Sequence, residues 1–370
     1  MNAAQRIRVL VIDDSALVRQ ILCDVLRGDP AIEVVGAAGD AHIARDKIKR
    51  LNPDVLTLDV EMPRMDGLTF LSNLMRLHPM PVVMVSSLTE RGADITLDAL
   101  AMGAVDFLPK PRVDIAATLQ DYGDELIAKV KIAAAANVQA LDSRRVSKLL
   151  TRAQPTLSAA GEKRRLMRST DRIVAIGAST GGTEAIKEVL CNMPPDSPGM
   201  LITQHIPPAF SASFARRMND VSPLTVCEAE DGQQVLAGHV YIAPGDYHLR
   251  LVRNGARYVC KVDQEAPVNR HRPSVDVLFR SVAQNAGQNA IGVLLTGMGR
   301  DGARGLKAMR TAGAATVAQD EHTSVVWGMP GEAVSIGATE DVLPIDAIAA
   351  RIVTLAAAMS PASVDQESLR

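Results

Sequence analysis

Strand-like and helix-like segments alternate five times between residues 8 and 132, and this alternation restricts the fold more than any other feature. Each short apolar run is followed by a longer segment whose apolar residues have helical spacing. Five successive βα units predict a doubly wound, parallel α/β sheet. The predicted strands are Arg8–Ile12, Glu33–Ala38, Val55–Leu58, Val82–Val85 and Val105–Leu108, and the predicted helices are Ser15–Leu26, Ala41–Leu51, Gly67–Leu77, Ala93–Ala101 and Thr118–Ile132.

Polar residues follow four of these strands, at the sheet edge where a doubly wound fold binds its ligand. They are Asp13, Asp14, Asp59, Ser86 and Lys110. Mg²⁺ prefers hard oxygen ligands and takes one or two protein carboxylates together with water and phosphoryl oxygens. The set predicts a Mg²⁺ site around a nucleophilic aspartate, against the simpler interpretation that acidic strand ends are only solvated.

The same residues carry a resemblance to a known family. Asp13-Asp14, the run Asp59-Val60-Glu61-Met62-Pro63-Arg64-Met65-Asp66-Gly67, Ser86 and Lys110-Pro111 resemble the response-regulator receiver domains, which have a flavodoxin-like (βα)5 fold. The resemblance covers residues 7–132 and implies that Asp59 accepts a phosphoryl group. It also implies that Asp13, Asp14, Asp59 and the backbone carbonyl of Glu61 hold Mg²⁺.

The receiver resemblance further implies a switch that responds to the phosphoryl group. Ser86 would hydrogen-bond the group and Lys110 would pair with it, because phosphorylation adds about −1.5 to −2 charge and strong acceptor oxygens. Phe107 occupies the position of the family's switch aromatic. An apolar strand residue is equally typical of the core, so both interpretations of Phe107 stay open.

Between Asn137 and Thr170 the periodicity fades and basic residues collect. Pro155 and the small residues 158–161 interrupt this segment, so residues 133–170 are interpreted as an interdomain linker. Its first part is also compatible with an extension of the preceding helix. The basic residues lack interleaved aromatic residues and the chain has a formal net charge of −2, so no nucleic-acid partner is expected.

A glycine-rich turn, Gly177-Ala178-Ser179-Thr180-Gly181-Gly182, lies between an apolar strand and a helix-like segment. It fits the G-x-S-x-G nucleophile-elbow pattern, in which glycines permit strained backbone angles and close approach of a substrate. Ser179 is therefore a candidate nucleophile. The turn alone is equally typical of a phosphate cradle at a helix N-terminus.

Two further predicted strands end at residues suited to activate Ser179. Met200–Thr203 leads to His205, and Ile291–Leu295 leads through another glycine-rich turn to Asp301. A serine is a poor nucleophile at its free pKa, so His205 would take its proton and Asp301 would orient the imidazole. The sequence thus predicts a second doubly wound α/β domain with a hairpin at Asn254-Gly255.

The sequence also offers candidates for residues that support this site, and alternatives to His205 and Asp301. Backbone N–H groups near Met298 are candidate oxyanion donors, and Thr180 either hydrogen-bonds His205 or caps the following helix. His271 is the one alternative to His205 as the general base. The basic segment that contains it indicates either a positively charged lip for an acidic protein substrate or a structural turn. Asp276 and Asp320 are alternatives to Asp301.

Five motifs in order carry a second resemblance, to the chemotaxis protein-glutamate methylesterases of the CheB family. They are Gly177–Gly182, Thr203–His205, Tyr241–Asp246, Asn269–Asp276 and Thr296–Gly302. The resemblance implies hydrolysis of glutamate methyl esters on chemoreceptor cytoplasmic domains and deamidation of receptor glutamines, with no cofactor for hydrolysis. It also implies that a chemotaxis histidine kinase phosphorylates the receiver, and that the unphosphorylated receiver covers the esterase's active-site face.

The length of 370 residues predicts two domains. The expected boundaries are a receiver at 1–132, the linker at 133–170, a catalytic domain at 171–360 and a tail at 361–370. Four scattered cysteines without a C-x-x-C pair, and no apolar stretch of membrane-spanning length, predict a cytoplasmic protein. We expect a monomer that does not insert into membranes.

Two other classes of function stay open on the sequence. One is a response regulator whose second domain only binds a partner, which would leave Ser179, His205 and Asp301 no reason to converge. The other is a nucleotide-binding enzyme, which would need an acidic residue about 20 positions after the glycine turn. Gln204-His205 occupies that position and favours the hydrolase.

Overall fold

A computed structural model describes residues 6–63, 65–87, 89–111, 116–136 and 172–359. Contacts between Cα atoms divide the chain into two compact units, Met1–Arg164 and Arg165–Arg370. The division falls within the predicted linker, most of which lies outside the described residues, as does the predicted tail. The proposed domain boundaries therefore stay predictions.

The first unit contains five parallel strands, each followed by a helix. The strands are β1 (Ile7–Ile12), β2 (Ile32–Ala38), β3 (Val55–Asp59), β4 (Val82–Ser86) and β5 (Asp106–Pro109). The helices are α1 (Ala16–Arg27), α2 (Ala41–Leu51), α3 (Gly67–Leu77), α4 (Glu90–Ala101) and α5 (Ala116–Ala135). The sheet order β2-β1-β3-β4-β5 confirms the predicted doubly wound fold.

Side-chain caps set where four of these helices begin. Ser15, Asp40, Asp66 and Thr89 each accept a hydrogen bond from a backbone N–H in the first turn of α1 to α4 respectively. The apolar spacing predicted a later start for α4, at Ala93. The Thr89 cap moves that start to Glu90, and α5 continues to Ala135, into the predicted linker.

The second unit is built on seven parallel strands. They are β6 (Ile173–Ala178), β7 (Gly199–Gln204), β8 (Thr225–Glu228), β9 (His239–Ile242), β12 (Ala290–Leu294), β13 (Ala315–Gln319) and β14 (Asp341–Leu343). Their order is β14-β13-β12-β6-β7-β9-β8. The antiparallel pair β10 (His248–Asn254) and β11 (Arg257–Asp263) forms the predicted hairpin.

Helices cover this sheet and pack against the hairpin. They are α6 (Gly182–Cys191), α7 (Pro208–Val221), α8 (Val275–Asn285), α9 (Ala303–Thr311), α10 (Met329–Ser335) and α11 (Ile345–Ala358). Leu249, Leu251 and Cys260 of the hairpin share one buried apolar cluster with Leu278 and Phe279 of α8. Within the described ranges, none of the helices combines the length and apolarity needed to cross a bilayer.

The first residue of α8 is packed between two glycines of the sheet edge. A Cβ at Gly177, in β6, would lie 2.1 Å from Val275 Cγ1, and a Cβ at Gly302 would lie 2.5 Å from the same atom. Gly302 also has a φ of 86°. Only residues without a side chain at these positions let α8 approach β6 and the loop after β12.

Replacing Gly177 by alanine is expected to destabilise the second unit by about 1–3 kcal/mol, because Val275 cannot move without disturbing α8. Denaturant unfolding of the full chain measures the shift. Gly177→Ala combined with Val275→Ala should recover part of the loss, since the second change removes the clashing methyl groups. A double variant less stable than both single variants would contradict this explanation.

Candidate functional site

Three adjacent strands of the second unit deliver the predicted catalytic residues. Ser179 directly follows β6, His205 directly follows β7, and Asp301 lies in the loop after β12. Because β12, β6 and β7 are neighbours and parallel, their carboxyl ends open on one edge of the sheet. The three side chains therefore meet although 122 residues separate the first from the last.

The three side chains form a continuous hydrogen-bonded chain. His205 Nδ1 lies 3.1 Å from Ser179 Oγ, and His205 Nε2 lies 2.9 Å from Asp301 Oδ2. A carboxylate can only accept hydrogen bonds, so Nε2 carries the proton in the neutral ring. Nδ1 is then left with a lone pair directed at the Ser179 hydroxyl, which is the tautomer that a general base requires.

Asp301 is almost fully buried and is held by five donors. Oδ2 accepts from His205 Nε2 and from the Val275 amide at 2.7 Å, while Oδ1 accepts from Asn269, from Ser274 Oγ at 2.8 Å and from the Asp276 amide. Burial alone would raise the pKa of this carboxyl. The hydrogen bonds and the charge of His205 outweigh burial and hold the pKa well below its ordinary range.

The residues considered as alternatives to His205 and Asp301 make other contacts. Asp276 is buried and accepts from the Gly305 amide rather than from His205. Asp320 accepts from the Thr323 amide and hydroxyl. The ring of His271 stacks on that of His205, with 3.8 Å between centroids and 14° between planes. His271 is therefore a direct neighbour of His205, and its role as a lip or a turn residue stays a prediction.

The backbone around Ser179 is fixed from three directions. Its amide donates to Thr296 O at 3.0 Å, and its carbonyl accepts from the Gly182 amide at 2.7 Å and from Gln204 Nε2 at 2.9 Å. The helix N-cap is Gly181, with φ 75°, so Thr180 does not have the capping role considered for it. The Thr180 carbonyl instead accepts from Thr296 Oγ1.

The glycine turn after β12 lies against the nucleophile. A Cβ at Gly297 would be 2.8 Å from Ser179 Cβ, and the next residue, Met298, has 42% of its surface exposed. Trp327 pairs with Gly297 across a parallel β-bridge and donates its indole N–H to Gln319 O at 3.1 Å. The predicted oxyanion donors near Met298 thus lie one residue from a direct contact with Ser179.

In the first unit, the predicted acidic site is assembled at the ends of β1 and β3. Asp13, Asp14 and Asp59 each place a carboxylate oxygen within 4.8 Å of the others. Lys110 Nζ lies 2.8 Å from Asp59 Oδ2 and 3.7 Å from Asp13 Oδ2. Within the described residues, the buried Asp13 Oδ2 has no hydrogen-bond partner, so this oxygen fits a metal ligand.

Burial in this cluster raises carboxyl pKa values. The pKa of Asp59 rises to about 6, mainly through burial and opposed by the Lys110 hydrogen bond. The pKa of Asp13 is also raised by burial, against the charge of Lys110. The Asp59 carboxyl therefore lies in an environment with too little positive charge, which is the condition that a bound divalent cation corrects.

The remaining receiver residues occupy the predicted strand ends. Ser86 Oγ lies 3.3 Å from the Gly92 carbonyl and 3.4 Å from the Ser87 carbonyl, the acceptors available to its hydroxyl. Phe107 is buried, and its carbonyl accepts a hydrogen bond from Lys129 Nζ, which also lies over the Phe107 ring. The switch roles of Ser86 and Phe107 stay predictions. The Glu61 amide donates to Asp59 Oδ1 at 3.1 Å.

Comparison with known proteins identifies the relatives of both units. The CheB methylesterase family matches residues 174–352, and the response regulator receiver domain matches residues 9–120. A protein-glutamate methylesterase/protein-glutamine glutaminase of Xanthomonas campestris pv. campestris is 58% identical over 357 residues, covering 96% of this chain and 99% of that protein. The chain belongs to the CheB methylesterase family.

A second relative agrees with this assignment, and one solved structure is similar to half of the chain. A protein of the same name from Hydrogenovibrio crunogenus is 54% identical over 95% of this chain and 99% of its own. The Thermotoga maritima CheB methylesterase catalytic domain is 38% identical over 50% of this chain and 98% of that one, with a TM-score of 0.49. Both resemblances given by the sequence, to receivers and to the CheB family, are confirmed.

The sequence did not predict how four residues of the quoted motifs support Ser179, His205 and Asp301 in this CheB family member. Asn269 and Ser274 hold Asp301, His271 stacks on His205, and Gln204 holds the Ser179 carbonyl. On the sequence, the motif Asn269–Asp276 stands out for its likeness to the CheB family and for its positive charge. Its alternation of amide, imidazole, hydroxyl and carboxyl groups was the stronger signal, but only a fold places these groups around Asp301.

Asp59→Asn is expected to stabilise the first unit by about 1–3 kcal/mol at pH 7 in a chelating buffer. With its pKa raised from 3.8 to about 6, the folded state binds more protons than the unfolded state between these values. Stability is therefore lost as pH rises through that window and stays lower above it. Urea unfolding at pH 7 and pH 4 measures the difference.

The exposed Asp46 of α2 provides the matched control, because Asp46→Asn removes a charge without changing a buried group. It should change the unfolding free energy by less than about 0.5 kcal/mol. The gain from Asp59→Asn should shrink towards zero at pH 4. A gain that is as large at pH 4 as at pH 7 would contradict the electrostatic explanation.

Proposed function

We propose that this chain is a phosphorylation-activated serine hydrolase of bacterial chemotaxis. It hydrolyses glutamate methyl esters on chemoreceptors and deamidates receptor glutamines to glutamates, so it serves adaptation. The observation that carries this proposal is the hydrogen-bonded chain of Ser179, His205 and Asp301 at adjacent strand ends. Support comes from near full-length identity of 58% to a protein named for both activities.

In the proposed reaction, Ser179 Oγ attacks the side-chain acyl carbon of the substrate as His205 Nδ1 takes the hydroxyl proton. Asp301 stabilises the imidazolium that forms and keeps the ring oriented. The tetrahedral oxyanion accepts from backbone N–H groups near Met298. His205 then gives its proton to the leaving group, which departs as methanol from an ester or as ammonia from an amide.

The second half of the reaction releases the product. A water molecule gives a proton to His205 Nδ1 and attacks the γ-glutamyl ester of Ser179. Collapse of this intermediate breaks the bond to Ser179 Oγ, and His205 returns the proton to the serine. The product is a glutamate carboxylate, whichever leaving group departed first, and the hydrolysis needs no cofactor.

Control is proposed to act through Asp59. A chemotaxis histidine kinase supplies the phosphoryl group, and phosphorylation relieves the restraint that the receiver places on hydrolysis. Asp13, Asp14, Asp59 and the Glu61 carbonyl would hold Mg²⁺, which supplies charge neutralisation for phosphoryl transfer. Lys110 pairs with the phosphoryl oxygens, Ser86 turns its hydroxyl to them, and Phe107 follows as the switch aromatic.

Methanol release from methylated receptor membranes tests the proposal. Wild type, Ser179→Ala and Asp59→Asn are compared with and without a small phosphodonor. Ser179→Ala should lower release by at least about 10³-fold, because the nucleophile is lost. Asp59→Asn should keep the basal rate and lose only the response to phosphodonor.

Two matched variants control for indirect effects. Ser335→Ala removes an exposed hydroxyl at the end of α10, and Asp46→Asn removes an exposed carboxylate of the receiver. Both should retain the wild-type rate and the phosphodonor response. Full activity in Ser179→Ala would overturn the hydrolase, and a phosphodonor response in Asp59→Asn would overturn the regulatory site.

Two exposed arginines flank the proposed triad and favour an acidic protein substrate. Arg270 precedes His271 and Arg300 precedes Asp301, and both side chains are exposed. Within the described part of the chain neither side chain forms a hydrogen bond or an ion pair. Chemoreceptor helices that carry several glutamates present the complementary charge, which favours encounter and orientation.

Arg270→Glu and Arg300→Glu are each expected to raise KM for receptor membranes about tenfold at low ionic strength, with kcat nearly unchanged. The effect should diminish as salt is added, because exposed charges are screened. Arg50→Glu, at an exposed arginine in the last turn of α2, is the matched control and should leave KM unchanged. An equal loss in all three variants would contradict a specific role for the flanking pair.

A further inference from the structure

Asn269 lies between two buried carboxylates and donates to both. Its Nδ2 is 2.6 Å from Asp301 Oδ1 and 3.0 Å from Asp276 Oδ2. An amide nitrogen has two hydrogens, so one is available for each carboxylate. The neighbouring carboxylates accept only, which excludes the flipped amide, whose oxygen would face two negative oxygens.

Asp276 is fixed independently of Asn269. Its Oδ1 accepts from the Gly305 amide of α9 at 2.6 Å, its own amide donates to Asp301 Oδ1 at 3.2 Å, and Arg280 lies 3.4 Å from Oδ2. The side chain is 1% exposed. A rigid, buried acceptor therefore stands on the side of Asn269 opposite Asp301.

Asn269 also has a backbone conformation that few residues adopt. Its φ is 54°, in the left-handed region where asparagine and glycine are favoured. The backbone thus aims the short amide inward while residues 270 and 271 continue to the ring stacked on His205. If Asn269 only formed a turn, it would need this backbone conformation but not hydrogen bonds to both carboxylates.

We propose that Asn269 is a positioning residue for Asp301, and that Asp276 orients the Asn269 amide so that it donates to the triad acid. The inference rests on the proposed function, since it assigns a role within the same triad. The Asp276 side chain acts through Asn269 on the angle at which Asp301 receives the His205 N–H, while the Asp276 amide contacts Asp301 directly. Neither residue touches the reacting atoms.

The test measures two quantities on the full chain. The first is kcat and KM for methanol release. The second is the rate at which a fluorophosphonate labels Ser179 as a function of pH, which needs the serine and its base but no receptor substrate. The acidic limb of that profile reports on the base that activates the serine in the free protein.

Asn269→Gly removes the amide while keeping a residue that tolerates positive φ. We expect kcat to fall about tenfold to a hundredfold with KM unchanged, the range for losing a hydrogen bond to a charged group. The acidic limb should move to higher pH, because Asp301 loses a compensating donor and attracts the imidazolium more strongly. A merely structural loss would lower the rates without moving the limb.

Asp276→Asn can still accept from the Gly305 amide through its oxygen, but its nitrogen then opposes Asn269 Nδ2, donor against donor. We expect a loss of kcat similar to that of Asn269→Gly. In the Asn269→Gly background, Asp276→Asn should add less than about twofold, because the side chain that it orients is gone. Additive losses would overturn the proposal.

Asn52→Gly is the matched control, since Asn52 has a φ of 44° at the end of α2 in the first unit. It should change neither kcat nor the pH profile. The groups around Asp301 that can affect the profile are His205, His271, Asp276, Arg280 and His248, whose Nδ1 accepts from the Ser274 amide. The pH profiles of Ser179 labelling in Asp276→Asn and Arg280→Ala, measured alongside, show which shifts of the acidic limb come from the loss of a charge alone.

The two readouts separate failure of this inference from failure of the proposed function. If wild type releases no methanol but Ser179 is labelled with a profile that Asn269→Gly shifts, the positioning role stands and the substrate assignment falls. If wild type releases methanol and Asn269→Gly leaves kcat and the profile unchanged, the positioning role is overturned and the function stands.

Discussion

A buried carboxylate must be surrounded by donors, and the second unit is arranged around that requirement at Asp301. Four of its five donors come from residues 269–276, which comprise the turn before α8 and the first two residues of that helix. The fifth is His205, whose ring orientation follows from the direction of Asp301 Oδ2. The Val275 amide serves Asp301 while its side chain fills the space left by Gly177 and Gly302. The same residues therefore pack α8 against the sheet and orient Asp301 and His205.

Two buried aspartates in the same chain show how donors decide the character of a carboxyl group. Asp59 has one lysine and one amide as donors, and burial prevails, so its pKa rises to about 6. Asp301 has five donors, and its pKa falls. The first carboxyl keeps its proton to a higher pH than usual, at the position proposed to accept a phosphoryl group. The second is a permanent anion, suited to hold an imidazole in one orientation.

Much of this arrangement follows from periodicity and from residues at strand ends. The apolar runs predicted all strands of the first unit and β6, β7, β12 and the hairpin of the second, and hence the edge where Ser179, His205 and Asp301 meet. The sequence analysis did not predict strands β8, β13 and β14 or helices α10 and α11. Of these strands, β8 and β14 are short and lie at the sheet edges, and β13 is rich in alanine and threonine. The roles of Asn269, Ser274 and His271 have no periodic signal at all. They depend on a loop conformation with two consecutive positive φ angles, at Asn269 and Arg270.

The pairing of Trp327 with Gly297 has a practical consequence. The chain contains a single tryptophan, and its backbone is bridged to the residue that contacts Ser179. The indole N–H is bound to a carbonyl of β13. Fluorescence excited at the indole band therefore comes from Trp327, which is bridged to the glycine turn beside Ser179. The fluorescence of Trp327 therefore reports on the glycine turn beside Ser179 in the unmodified protein.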